Sequence, residues 1–62
     1  MKIQFSTSGA AFKDIRTMED DDWTFRSECI RILNKIKIQI NQGYDSGLIM
    51  DINGNKIGSW EL

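Results

Sequence analysis

The chain has 62 residues, 40% of them apolar and 27% charged, which is the balance of one small globular domain spanning 1–62 and not of a disordered tail. Its 8 Lys and Arg stand against 9 Asp and Glu, so the net charge is −1 and the basic footprint that drives direct nucleic-acid binding is missing. A single Cys and the absence of His exclude an internal disulfide and a Cys/His zinc set, so no cofactor or structural metal is expected and stability must come from apolar packing or from a partner subunit.

In chain order, the first element is a short strand over Lys2–Ser6, where Ile3 and Phe5 alternate with polar neighbours. From 7 to 21 no period is sustained, and a connection of that length in a compact domain is a place to look for binding. Phe12, Ile15 and Met18 recur every three residues, which allows a helical turn there, although a tether with two or three anchors is the simpler expectation. Glu19, Asp20, Asp21 and Asp22 then lead into a helix starting at Asp20 or Asp21 and ending near Gln42. Carboxylates suit the start because they accept from unpaired N–H groups and oppose the positive end of the dipole. Gly43 suits the stop.

At about 100° per residue, Phe25, Cys29, Ile32, Leu33, Ile36 and Ile40 share one stripe, the expected core face. Trp23 and Ile30 fall on the far side with Arg26 and Lys37, and Ile38 lies farther round still. A monomer core has no evident place for these three.

The segments 46–52 and 56–62 flank Asn53-Gly54-Asn55, a strong hairpin signal because Asn and Gly tolerate the positive φ of a tight turn. A two-residue loop pairs Asp51 with Lys56. A three-residue loop sets Leu48 opposite Trp60 and Met50 opposite Gly58, and it is preferred because it gathers Leu48, Met50, Ile52, Trp60 and Leu62 on one face. A bulge would reconcile the two. The expected class is α+β in the order β-α-β-β, with one long amphipathic helix packed on a three-stranded sheet that includes a C-terminal hairpin.

No constellation of residues supports catalysis, so an enzyme is not expected. Asp51, Asn53 and Asn55 are spaced like part of an EF-hand loop, but Gly54 stands at position four instead of six and Leu62 occupies the twelfth place, where a Glu is needed. Cys29 has no His to act as its base and lies on the apolar stripe, as a buried thiol does. The acidic run from Glu19 to Asp22 could imitate a phosphate backbone in a basic groove. Helix capping explains it as well, and Arg16, Arg26 and Arg31 dilute its field. Trp23, Ile30 and Ile38 together read as a partner surface. No run approaches the roughly 18 apolar residues of a membrane span, the first residues lack the pattern of a signal peptide, and an unpaired thiol fits a reducing compartment. No membrane partner and a cytoplasmic location are therefore expected.

The stretches MKIQFSTSGAAF, FRSECIRIL and MDINGNKIGSWEL resemble a family of very short proteins encoded by phages and prophages of Gram-positive bacteria. The likeness spans nearly the whole chain apart from Lys13 to Asp22, and it carries over no catalytic residue. It implies a role by binding in the host cytoplasm, frequently against a host defence complex in the manner of an anti-CRISPR protein. On that expectation the partner is a host protein, contacted by Glu19, Asp20, Asp21, Asp22, Trp23, Ile30 and Ile38; separately, a core this small without a disulfide or zinc leads to the expectation of a homo-oligomer, a homodimer. Two other roles stay open: a self-associating structural domain without a host target, and a sponge for a nucleotide signal.

Overall fold

The computed structural model describes residues 1–13 and 22–62. It contains strand β1 (Lys2–Phe5), one 3-10 turn (Ala10–Phe12), helix α1 (Asp22–Asn41), and strands β2 (Ser46–Met50) and β3 (Lys56–Glu61). One helix packs on a three-stranded antiparallel sheet of order β1-β3-β2, so the α+β class and the C-terminal hairpin are as expected. β3 lies between the other two strands, so β1 and β2 point the same way without being neighbours.

Helix α1 is described from Asp22 onward, and the expected starts at Asp20 or Asp21 lie outside the described residues, as do Ile15 and Met18. It ends as the sequence indicated: the Gly43 N–H donates to the Ile40 carbonyl with Gly43 at φ 97°, a conformation that costs glycine no Cβ clash. Its 20 residues span about 30 Å, whereas the six of β3 reach about 20 Å, so one end of α1 overhangs the sheet. The 3-10 turn fills the gap beneath that overhang. Phe12, 2% exposed, stacks 6.2 Å from the Phe5 ring and lies 5.8 Å from Phe25. Within the described part of this connection it is thus a helical turn, at Ala10–Phe12, that packs on the body; Ile15 and Met18, the other two expected anchors, lie outside the described residues.

Phe12, Ile32, Ile36, Ile49 and Trp60 form the core, with Ile3, Phe5, Ala11, Cys29, Ile40 and Ile57 packed around it. The expected helix stripe is right along Cys29, Ile32, Ile36 and Ile40, but Leu33 is 49% exposed and Glu28 is buried. The contact face of α1 is thus rotated away from Leu33 and toward the hairpin tip.

The preferred hairpin register is overturned. Gly47 pairs with Trp60, Leu48 with Ser59 and Ile49 with Gly58, which is the register of a two-residue loop; Met50 then pairs with Lys56 across a bulge. Beyond the bulge, the Asp51 N–H donates to the Asn55 carbonyl and the Gly54 N–H to the Asp51 carbonyl, closing a three-residue turn over Ile52, Asn53 and Gly54 (φ 85°). A one-residue difference in register exchanges faces. Ile49 and Trp60 therefore point at the helix, while Leu48, Met50, Ile52 and Leu62, expected beside Trp60, are 44–67% exposed.

Two glycines enforce the arrangement. A Cβ on Gly58 would strike the Gln4 carbonyl and stand 2.6 Å from Phe5 Cα, so β1 can approach β3 only over a bare α-carbon. One on Gly47 would stand 2.7 Å from Trp60 Nε1, in the space of the indole, whose N–H donates to Gln39 Oε1 at 2.8 Å.

Candidate functional site

Two surfaces of α1 emerge from this packing. The first is its outward face, where Trp23 is 77% exposed and Ile30 59%. Seven residues apart, they stand nearly in line, with a rise of about 10 Å between them. Leu33, one turn beyond Ile30, extends the apolar surface instead of joining the core. Ile38 is exposed too, but its position is rotated from Ile30 by about 80° of helix, toward the flank that carries Arg31 and Lys35. Of the expected contact residues, the fold thus brings Trp23 and Ile30 together and sets Ile38 apart. Asp22 pairs with Arg26 at 2.8 Å, and both side chains are well exposed. Such a pair contributes little to stability and partly cancels the negative charge of the helix start. Glu19, Asp20 and Asp21 lie outside the described residues.

The second surface is a groove of about 600 Å³ between α1 and β2, with Arg31, Lys35 and Gln39 on its helix wall and Leu48, Ile49 and Met50 on its strand wall. At its end sits a buried polar cluster. Glu28 accepts from Arg31 Nε with one carboxylate oxygen and from the Ile52 N–H at 2.9 Å with the other. Arg31 Nη2 donates to the Met50 carbonyl at 2.9 Å. Asp51 accepts from the Asn53 and Asn55 N–H groups at 2.9 Å and from Asn55 Nδ2 at 3.2 Å. The Asn55 N–H is the main reason that the Asp51 carboxyl lies below its ordinary pKa.

Each of these carboxylates is occupied by donors from the chain itself, and among the described residues no buried side-chain polar atom lacks a partner. Their role is to lock the hairpin tip against the helix. Among the described residues no three Cys, Asp or Glu side chains converge as a metal site. No helix of the described residues is long and apolar enough to cross a membrane.

No family model, no curated protein and no solved structure matches the chain. The groove escaped sequence reasoning because it depends on β2 being an outer strand. Glu28 did leave a signal, since its place on the helical wheel is next to Ile32 and one turn before Arg31.

Proposed function

We infer that this chain is a non-enzymatic binding protein that acts by contact with another protein. The observation that supports this reading is the isolated apolar face of Trp23 and Ile30 on the outward side of α1. Tryptophan carries a large share of the binding energy where it is buried at an interface, and a helix face standing off the core can be covered without disturbing the fold. With the resemblance to short phage and prophage proteins, the partner of choice is a host defence complex in the bacterial cytoplasm, which the chain inhibits by occupying a surface. Asp22 sits at the rim of the same face, where a charge tunes the rate of association more than the affinity.

Self-association is the second reading, favoured by the same residues, because a Trp23–Ile30 line on one helix can cover its equal on a second copy. Capture of host proteins by the tagged chain, followed by binding measurements with the purified partner, tests the first. Trp23→Ala should weaken that complex by at least about 2 kcal/mol while leaving the far-UV circular dichroism unchanged. If the variant binds as tightly as the parent, this face is not the contact. Sedimentation equilibrium separates the readings: a dimer that Trp23→Ala converts to monomer supports self-association, and a monomeric parent removes it.

A further inference from the structure

We propose that the outer edge of β2 is a docking site for an extended peptide segment of another protein, one that alternates acidic and aliphatic side chains and adds to the sheet as a fourth strand. The proposal concerns a different surface from the Trp23–Ile30 face and does not rest on that reading. Its basis is the backbone of β2. In an antiparallel ladder successive residues turn their N–H and C=O groups alternately toward and away from the neighbouring strand. The Leu62 N–H donates to the Asp45 carbonyl, which continues the β2–β3 ladder and sets its phase: Gly47 and Ile49 bond to β3, while Ser46, Leu48 and Met50 turn their groups outward. The contact of Arg31 with the Met50 carbonyl fits that phase. Among the described residues no other partner meets this edge, and Ser46-Gly47-Leu48-Ile49-Met50 contains neither the charge nor the proline that commonly blunts an open strand. Unpaired N–H and C=O groups at strand spacing are complemented by another extended backbone.

The walls of the groove decide which segment fits. Side chains of an added strand that point to the helix side would enter the space bordered by Lys35 and floored by Ile32, Ile36 and Ile49. Arg31 is held by Glu28 and Met50, but Lys35 forms no ion pair among the described residues, so a Glu entering there could set its carboxylate on Lys35. The alternate side chains would lie on the opposite sheet face beside Leu48 and Met50, 58% and 44% exposed, which favours aliphatic residues. A second copy pairing β2 with β2 is the less suitable occupant, because a two-fold axis would bring the Lys35 side chains of both copies to one side of the joined sheet and supply no carboxylate to either.

The test titrates the full chain with a short, capped, fluorescent peptide of alternating Glu and Val. The controls are the Lys/Val counterpart and a Glu/Val peptide N-methylated at alternate residues, which cannot pair along an edge. Binding of the first peptide is expected, with shifts of the Leu48 and Met50 amide resonances and an affinity at least about tenfold weaker for Lys35→Glu. Leu48→Pro removes an outward N–H and leaves the β3 ladder alone, so it should abolish binding; the N-methylated peptide makes the same comparison without altering the protein. Absence of binding at millimolar peptide, equal binding of the Lys/Val peptide, or full binding of the N-methylated one would overturn the proposal. So would a dimer of the parent chain that Leu48→Pro converts to monomer, since the edge would then belong to a second copy.

Discussion

Glu28 and Asp51 are side chains of a type that seldom lies buried, and both are held there by donors. Removing Glu28 strands the Ile52 N–H in a part-buried place and frees the Arg31 head group from its carboxylate. Glu28→Ala should therefore cost about 1–3 kcal/mol in urea unfolding, and Glu28→Gln less, because an amide oxygen still accepts from Ile52. Asp51 couples the turn to pH. Its folded-state pKa is lowered from 3.8, so its contribution to stability is present in full above that value and disappears as pH falls through the folded-state value. Asp51→Asn keeps one acceptor and cannot titrate. It should have a lower Tm than the parent at pH 7, and the gap should narrow steadily below about pH 3.8; a gap independent of pH would show that the charge of Asp51 plays no part.

Among the elements, the 3-10 turn is small, yet it decides whether the overhanging end of α1 has anything to rest on. Phe12 is its one fully buried side chain and bridges Phe5 of β1 to Phe25 of α1. Phe12→Ala should cost about 3–5 kcal/mol, as loss of a buried aromatic ring does. A core in this size range supplies little more than about 3–5 kcal/mol in total, so the variant should be largely unfolded at 25 °C by circular dichroism. Phe12→Leu, which keeps most of the volume, should retain a cooperative transition. The hairpin is secured differently: the bulge at Ile49/Met50 and the Asp51 turn set its register, and Glu28 ties its tip to the helix.

Over the molecule as a whole, a chain this short leaves much apolar surface uncovered: the outward face of α1, the exposed residues of β2 and the hairpin tip. That uncovered surface is what both the proposed binding role and the proposed strand-addition site draw on. The sequence by itself determined the kind and order of the elements. A period of 3.6 marked α1, alternation marked β1, Asn53-Gly54 marked the turn and Gly43 the helix stop, because these signals are local and each is read within a few residues. It also determined that Trp23 and Ile30 stand away from the core, since the wheel sets them opposite Ile32 and Ile36. Only the tertiary structure decided that Leu33 is exposed, that Ile49 and not Leu48 faces the helix, that Phe12 is core, and that β2 is an outer strand with Lys35 across a groove from it. Those outcomes depend on pairings between residues far apart in the chain, such as Gly58 with Phe5, Trp60 with Gly47 and Glu28 with Ile52, and no local period records them.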